Sequence, residues 1–258
     1  MSRPTRAAAS ELSRPADFDP PVGPDAPVMD VLATMRAMRR LKPDPVPRDL
    51  LETIVRAATW APSGSDAQHY GFVVVTERDR IARLAELWRE AEETYEALAG
   101  DLVPDFDDPA HARMAAALRH QRDHFHETPA VIAACYRRSG PAGRELLSPT
   151  RLRQLVQRVG WPRLRKIASA GTAAQNLNEA SSIYPAVQNL LLAARAHGLA
   201  ANLTVWHLFN NADWREVLGV PDDVGVYAIV PVGWPLGRFG PVRRRPVDEV
   251  LHWERWQA

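Results

Sequence analysis

The distribution of apolar and polar positions along the chain predicts a mixture of helices and short strands. Apolar residues at helical spacing predict helices over residues 28–40, 48–60, 79–99, 109–126, 182–199 and 211–219. Apolar runs of the kind that form buried strands cover residues 72–75, 129–136 and 226–234, with a further short strand near 201–205. The helices and strands follow no regular βαβ rhythm, so the pattern predicts one α+β domain.

The first predicted helix carries two arginines, Arg36 and Arg39, that are three positions apart. Residues at this spacing are neighbours on a helix surface. Two guanidinium groups on one face can hold a phosphate through paired hydrogen bonds, although a solvated charged face is the commoner explanation of such a pair. Another basic cluster, Arg243–Arg245, lies far from this pair in the sequence.

A polar turn separates the second predicted helix from the first strand, in TWAPSGSDAQHYGFVVV, residues 59–75. Ser63 and Ser65 provide hydroxyl groups, and the amide of Gln68 can both donate and accept. Together with free backbone N–H groups, these side chains suit a flat heterocycle that presents alternating donors and acceptors. A simple turn that ends the helix is the alternative interpretation.

The composition limits the possible classes of protein. The chain has 258 residues, of which 46% are hydrophobic, so it can bury a sizeable core. A formal net charge of +1 gives no general argument for a nucleic-acid partner. Cys135 is the single cysteine, lies in the apolar run AVIAACY and is expected to be buried. Because no disulfide can form within the chain, the sequence favours a reducing, cytoplasmic location.

The N-terminal residues 1–26 are rich in proline and small polar residues, and we expect them to form a disordered tail. They contain no apolar core of the kind a signal peptide needs. No stretch approaches the length of an apolar membrane span, so membrane association is not expected. Residues 27–258 would then form the single folded domain.

Charge is unevenly distributed along the chain. Residues 79–108 carry ten acidic and three basic side chains, whereas residues 137–166 carry nine basic side chains and only Glu145 as an acid. The basic stretch lies in a segment, about residues 137–180, in which Leu152, Leu155 and Val159 have helical spacing. This segment could be a lid or a packing surface, a binding surface for an anionic substrate, or a membrane-surface helix.

Five ordered stretches resemble the nitroreductase family of FMN-dependent oxidoreductases. They are MRAMRRLKPDPVP, AATWAPSGSDAQHYGFVVV, SIYPAVQNLLLAARAHGLAANLT, VPVGWP and RRRPVDEVLHW. The resemblance covers residues 27–136 and 181–256, and it leaves the segment 137–180 unexplained as an insertion. It implies a nitroreductase-like α+β fold with a central, mostly antiparallel sheet flanked by helices. It also implies FMN in a groove at the interface of a homodimer.

The resemblance assigns cofactor contacts residue by residue. Arg36 and Arg39 match two phosphate-binding arginines, and Arg244 matches a C-terminal arginine that reaches the same phosphate. Ser63 and Gln68 match a serine and a glutamine of the flavin-binding turn, while Leu203–Val205 correspond to a loop whose backbone faces the flavin. The complete set of implied FMN contacts is Arg36, Ala37, Arg39, Ser63, Ser65, Asp66, Gln68, Leu203, Thr204, Val205 and Arg244.

Several positions depart from the family pattern. Met35 and Ala37 stand where an arginine and a serine are common, and Asp66, His69 and Tyr70 replace an asparagine, a proline and a tryptophan. The change at Asp66 affects the chemistry most, because an ionised carboxylate only accepts hydrogen bonds. Next to a reduced, anionic flavin it would lower the reduction potential.

The resemblance implies an enzyme that takes hydride from NADH or NADPH and reduces an electron-poor acceptor by a ping-pong route. The acceptor would be a small molecule such as a nitroarene, a quinone or an activated alkene. No catalytic side chain is assigned, because the chemistry takes place at the flavin N5 atom. Two alternatives remain: a flavin-dependent dehydrogenase or oxidase that desaturates a biosynthetic intermediate, and a flavin- or anion-binding protein without turnover.

The histidine and tyrosine assignments are weaker. His207 and Tyr70 are proton donors by residue type, but core packing is the preferred explanation of each. His120 and His124 are four apart and could share a helix face as metal ligands. No acidic or cysteine ligand is obviously paired with them as a metal-binding motif, so a solvated helix face is the preferred interpretation and no metal is expected.

Overall fold

The helices and strands follow the predicted order along the chain. A computed structural model describes residues 21–99, 109–138 and 149–256. The helices in these ranges are α1 Val28–Thr34, α2 Arg48–Thr59, α3 Arg78–Ala99, α4 Pro109–His124, α5 Pro149–Val159, α6 Trp161–Ala196 and α7 Asn211–Leu218. The strands are β1 Tyr70–Val75, β2 Ala130–Arg137, β3 Ala200–Ala201 and β4 Val224–Gly233.

The four strands form one sheet in the order β1-β2-β4-β3. Each neighbouring pair is antiparallel. The predicted α+β class and the antiparallel sheet are therefore confirmed. The register between β2 and β4 shifts at Ala134 and Cys135, which leaves Tyr227 of β4 without a direct partner on β2.

The central strand β2 divides the core into two layers, because its successive side chains point to opposite faces. Ala130, Ile132 and Ala134 belong to the layer packed against α2 and α6. Val131, Ala133 and Cys135 belong to the layer that also contains residues of α3 and α7. Cys135 is buried as expected, and burial raises the pKa of its thiol to about 11.

Helix α6 runs without interruption from Trp161 to Ala196, which makes it much longer than the predicted helix 182–199. Gly198 follows its end, as expected, and has a φ of 78° that favours glycine. Its apolar residues Ile183, Val187 and Leu190 are fully buried against the chain's own sheet and α2. The hydrophobicity of this helix therefore gives no argument for a dimer.

The first helix ends at Thr34 rather than at residue 40, so the prediction that Arg36 and Arg39 share a helix face is wrong. The residues after Thr34 continue in an extended conformation and pair with other segments. Met38 N donates to Ala201 O (3.2 Å), and Lys42 N donates to Trp234 O (2.8 Å). These tertiary hydrogen bonds outweigh the modest helix propensity of the local sequence.

The N-terminal segment and the basic segment lie partly outside the described residues. Residues 1–20 of the predicted disordered tail lie outside the described residues. The remaining tail residues, 21–26, contact the folded domain, because Gly23 N donates to Ala196 O (2.6 Å) at the end of α6. Within the basic segment, α5 carries Leu152, Leu155 and Val159 half-buried and packs against α6. No helix in the described part of the chain combines the length and apolar character that a membrane crossing requires.

Candidate functional site

A cavity of about 1230 Å³ opens between the extended segment 36–40, the C-terminal segment 237–244 and one face of α4. Its described lining includes no carboxylate side chain. It does include seven arginines, namely Arg36, Arg39, Arg40, Arg113, Arg238, Arg243 and Arg244. The cavity therefore has a strongly positive potential and is suited to an anionic ligand.

Backbone pairing brings the two segments of the cavity together. Leu236 N donates to Arg40 O (3.1 Å), and Val242 N donates to Ala33 O (2.8 Å). Leu41 and Pro235 form an isolated antiparallel bridge between the same segments. As a result, arginines from opposite ends of the sequence face one space.

The turn that follows β4 is held in place by two arginine contacts. Arg36 Nη2 donates to the carbonyl oxygen of Arg238 (2.9 Å). The guanidinium of Arg195 lies 4.2 Å from the ring centroid of Phe239, a cation–π contact. Arg195 is buried on α6, and its Nε donates to Thr34 Oγ1 (2.9 Å). The turn is thus fixed to the segment that follows α1, through Arg36, and to α6, through Arg195.

Burial lowers the pKa of Arg39 from its ordinary value. Because an arginine side chain is not deprotonated in proteins, Arg39 stays charged at neutral pH. Its partial desolvation strengthens the attraction that it exerts on an anion in the cavity. Ala37 lies between the two arginines and also lines the cavity, so the structure brings together four of the predicted residues: Arg36, Ala37, Arg39 and Arg244.

The predicted flavin turn forms a short 3-10 turn, Gly64–Asp66, on the surface of α6. Gly64 N donates to Ser182 Oγ (3.1 Å), which anchors the turn to α6. Ser63 Oγ accepts from Gln68 N (3.1 Å), and Asp66 Oδ1 accepts from Gln68 Nε2 (2.8 Å). Three residues have positive φ, namely Ser65 (54°), Asp66 (52°) and Gln68 (50°). Such a backbone is costly for side-chain-bearing residues and is typical of functional turns.

The turn does not line the arginine cavity of the same chain. None of the cavity's described lining residues belongs to the range 63–68. The structure of one chain therefore separates the predicted residues that face the cavity from the turn residues 63–68, which are held against α6. Residues 203–205 do not line the cavity either.

The loop 203–205 is only partly available for a ligand. Thr204 exchanges two backbone hydrogen bonds with Ile229, each 2.9 Å long, so its main chain is already engaged. The N–H groups of Leu203 and Val205 have no partner among the described residues. Val205 is also 37% exposed. The backbone N–H groups of this loop that remain available to a ligand are therefore those of Leu203 and Val205.

Sequence reasoning missed the residues of α6 and β4 that lie near the turn. Ser182 anchors Gly64, and the buried Glu179 accepts a hydrogen bond from the hydroxyl of Tyr227. Burial raises the pKa of Tyr227, and the hydrogen bond to Glu179 raises it further. The signal that was available is the polar interruption NEASS, residues 178–182, ahead of an apolar helix.

Sequence reasoning also missed two arginines of the cavity. Arg113 lines it from α4, next to Met114 and Ala117, and Arg238 lines it from the turn after β4. The stretch GRFG, residues 237–240, was a signal, because two glycines around a basic residue are typical of a tight turn.

The remaining histidine and tyrosine candidates have structural partners. His207 is fully buried, its Nε2 lies 3.0 Å from Val226 O, and burial lowers its pKa. Tyr70 donates its hydroxyl proton to Thr59 O (2.9 Å). The rings of His120 and His124 stack with centroids 4.1 Å apart, and the described residues contain no group of three potential metal ligands.

Two curated relatives align with this chain over very different lengths. "NADH dehydrogenase" of Thermus thermophilus is 27% identical over 231 residues, or 88% of this chain and 97% of that protein. Iodotyrosine deiodinase of Danio rerio is 38% identical over 58 residues only, which cover 22% of this chain and 20% of the deiodinase.

Solved structures with the same fold cover most of the chain. Iodotyrosine deiodinase bound to FMN and 3-iodo-L-tyrosine superposes with a TM-score of 0.62 at 17% identity, covering 89% of this chain and 100% of that one. The NADPH:FMN oxidoreductase of Vibrio harveyi complexed with NAD⁺ gives a TM-score of 0.59 at 19% identity, covering 90% and 78%. At these identities the likeness establishes the fold.

The family comparison spans most of the chain. The model of the nitroreductase family matches residues 32–234, which include the first arginine segment, the turn 63–68 and the whole sheet. The protein therefore belongs to the nitroreductase family.

Proposed function

We propose that the protein is an FMN-dependent oxidoreductase that takes hydride from NADH or NADPH and reduces an electron-poor organic acceptor. A nitroarene, a quinone or an activated alkene would be such an acceptor. The observation that carries this proposal is the arginine cavity, where Arg36 and Arg39 meet Arg244 from the other end of the chain. Family membership and neighbours whose names include FMN and NAD(P)H support the same chemistry.

The residues present fit FMN. Guanidinium groups bind phosphate through charge-assisted hydrogen bonds, so Arg36, Arg39 and Arg244 would hold the phosphate. The turn 63–68 offers hydroxyls and the amide of Gln68 to the flavin ring. Leu203 and Val205 offer unpaired backbone N–H groups.

The chain's own residues would bind and orient the reactants. FMN, when bound, supplies the redox chemistry by accepting hydride from a reduced nicotinamide and passing electrons to the acceptor. The arginines would fix the phosphate, and the turn 63–68 would fix the ring. No side chain of this set is required as a nucleophile, because one cofactor serves both half-reactions in a ping-pong route.

We also propose that a homodimer completes the site. The turn 63–68 and the arginine cavity are separate within one chain, so the turn of a partner subunit would supply the second group of contacts. Apolar side chains near the C-terminus support an interface, because Val247, Trp253 and Trp256 are 61%, 69% and 82% exposed. Such exposure of large apolar side chains is typical of interaction surfaces.

The test begins with cofactor binding. Apoprotein is titrated with FMN, and the expected result is one FMN per chain with flavin absorbance near ~450 nm, released by acid because the cofactor is held without a covalent bond. The matched pair of variants is Arg244→Ala in the cavity and Arg153→Ala on the exposed face of α5. A wild-type protein that takes up no FMN would refute the proposal.

Anaerobic reduction then separates the functional alternatives. Bleaching of the bound flavin by NADH or NADPH, followed by recovery of colour with an added nitroarene or quinone, is expected of a reductase. A flavin that resists both nicotinamides but is reduced by an organic substrate would identify a dehydrogenase or oxidase. A flavin that no donor reduces would identify a binding protein without turnover.

A further inference from the structure

The arginine cavity holds more positive charge than one FMN phosphate requires. A phosphate monoester carries a charge of about −1.5 to −2 at neutral pH, whereas seven guanidinium groups line the cavity. Arg36, Arg39 and Arg244 are assigned to FMN. The four that remain are Arg40, Arg113, Arg238 and Arg243. With FMN bound, the described lining would keep a large excess of positive charge.

Two of these arginines lie on elements that the FMN assignment does not use. Arg113 lines the cavity from α4, in the same part as Met114 and Ala117. Arg238 belongs to the turn that Arg36 and Arg195 hold in place through Arg238 O and Phe239. These two contacts hold the backbone of the turn in place, so the Cα of Arg238 has a fixed position at the cavity.

The cavity also has room for a second molecule. Within one chain its volume is about 1230 Å³, above the range of roughly 300–1,000 Å³ that is usual for a small-ligand site, and the partner turn 63–68 of the proposed dimer would occupy part of it. A second ligand that carries an anionic group would therefore find both space and uncompensated positive charge.

We propose that Arg113 and Arg238 form a second anion subsite, which binds a phosphate monoester of the co-substrate. This inference rests on the proposed function, in which a nicotinamide donor must enter the same cavity as FMN. The 2′-phosphate of NADPH is such a group, and it is absent from NADH. The subsite would therefore make the enzyme prefer NADPH. A phosphorylated acceptor would present the same chemistry.

Calorimetry with dead-end ligands tests the subsite without turnover. FMN-loaded protein is titrated with NADP⁺, whose 2′-phosphate is a monoester, and with NAD⁺, which carries no phosphate monoester; neither can reduce FMN. We expect NADP⁺ to bind at least roughly tenfold more tightly, the effect of one charge-assisted hydrogen bond. Arg113→Gln and Arg238→Gln should each remove most of this preference.

The matched control is Arg119→Gln, on the same helix as Arg113. Arg119 is exposed and is not among the cavity's lining residues, so its variant should keep the wild-type preference. Equal binding of the two nucleotides by the wild-type protein would overturn the donor assignment.

Steady-state kinetics test the acceptor as the source of the phosphate. The Michaelis constants of two nitroarenes are compared, one a phosphate monoester (4-nitrophenyl phosphate) and the other neutral (4-nitroanisole). A lower constant for the phosphate monoester that Arg113→Gln abolishes would assign the subsite to the acceptor. If Arg113→Gln changes neither the nucleotide preference nor the nitroarene preference, the subsite does not exist.

FMN titration distinguishes this proposal from the proposed function. Arg113→Gln apoprotein should bind FMN as tightly as the wild type, whereas Arg244→Ala should not. If Arg113→Gln weakens FMN binding as much as Arg244→Ala does, then Arg113 belongs to the flavin site and the second subsite is refuted. If the wild type binds no FMN but binds NADP⁺ through Arg113, the subsite stands and the FMN function falls.

Discussion

At the scale of single residues, the turn 63–68 combines strained backbone with polar side chains. The strain at Ser65, Asp66 and Gln68 is offset by two hydrogen bonds that Gln68 donates, to Ser63 Oγ and to Asp66 Oδ1. Asp66 is exposed, and one of its oxygens is already occupied by Gln68. The carboxylate is thus held in the turn, and in the proposed flavin site its charge would act on the bound ring.

The first prediction is that Asp66→Asn raises the two-electron reduction potential of bound FMN by tens of millivolts. An asparagine keeps the acceptor for Gln68 Nε2 and tolerates positive φ, so the substitution removes charge without disturbing the turn. At an effective dielectric constant of ~20 and a separation of ~5 Å, the charge is worth about 3 kcal/mol. That corresponds to an upper guide of roughly 65 mV for a two-electron couple.

A dye-coupled titration of both proteins at one pH measures this difference. Reoxidation by weak acceptors should also become slower in the variant. Equal potentials, or a lower potential in the variant, would show that the carboxylate is protonated or faces away from the flavin, and that Asp66 serves only to stabilise the turn.

The second prediction concerns the phosphate site. Arg39→Ala and Arg244→Ala should each weaken FMN binding by roughly ten- to a hundredfold, since a hydrogen bond to a charged group contributes about 1.5–3 kcal/mol. Arg153→Ala should leave it unchanged, because Arg153 is exposed on α5, away from the cavity lining. The measurement is the FMN dissociation constant from fluorescence quenching. Three equal constants would mean that the phosphate binds elsewhere.

At the scale of elements, the pair α3 and α4 encloses an ionisable side chain. Glu92 of α3 is 2% exposed, and its Oε2 lies 3.5 Å from Arg122 Nε of α4. Burial raises the pKa of Glu92 to about 7, although Arg122 opposes this shift. Arg122 Nε also contacts Asp123 Oδ1 (2.9 Å), so the cation has a second partner on its own helix.

The third prediction is a pH-dependent stability that depends on Glu92. The folded chain holds this proton up to a pH of about 7, whereas the unfolded chain loses it near the ordinary value of 4.5. The folded state therefore binds more protons between these two values, and its free energy of unfolding falls as pH rises through that window. The loss is on the order of 3 kcal/mol, because one pKa unit corresponds to about 1.4 kcal/mol.

Urea unfolding between about pH 5 and pH 8, the range that brackets the folded-state value, provides the measurement. Glu92→Gln should flatten the fall in stability, while Glu93→Gln, at an exposed neighbouring position, should retain it. If the wild type and Glu92→Gln show the same pH dependence, the carboxyl of Glu92 is ionised throughout this range in the folded protein.

At the scale of the whole molecule, the C-terminal segment 247–256 exposes several large apolar side chains, which is typical of an interaction surface. Val247, Val250 and Leu251 follow the last arginines of the cavity and are 61%, 48% and 45% exposed. Trp253 and Trp256 add two more exposed apolar side chains to this segment. A stable dimer could cover these side chains and bring the turn 63–68 of one subunit to the arginine cavity of the other.

The fourth prediction is therefore that the C-terminal segment is needed for both the dimer and the flavin site. Light scattering of the full chain should give twice the monomer mass of 28.7 kDa. The double variant Trp253→Ser/Trp256→Ser should shift the protein toward monomer and weaken FMN binding. Obligate interfaces bury roughly 2,000 Å² or more, so loss of two large apolar anchors is expected to matter.

Two results would contradict this prediction. One is a full-length chain that stays at 28.7 kDa with FMN bound. The other is a double variant that stays dimeric and keeps its FMN affinity, which would place the interface elsewhere on the molecule.

The sequence by itself determined the type and order of the elements, because apolar periodicity reflects which faces must be buried. β2 and β4 are continuous apolar runs, and both are buried on two faces as such runs require. The family was also recognisable, since four of the five motifs that resemble it lie in or overlap the matched range 32–234. These features depend on local sequence, so they could be predicted from it.

Only the tertiary structure decided the end of α1 and the membership of the arginine cavity. Met38 and Lys42 form backbone hydrogen bonds with Ala201 and Trp234, and these bonds replace the predicted helix by an extended segment. Arg113 from α4 and Arg238 from the turn after β4 join Arg36 at one cavity. Pairing between distant segments leaves no periodic trace in the local sequence, so neither feature could be read from the chain alone.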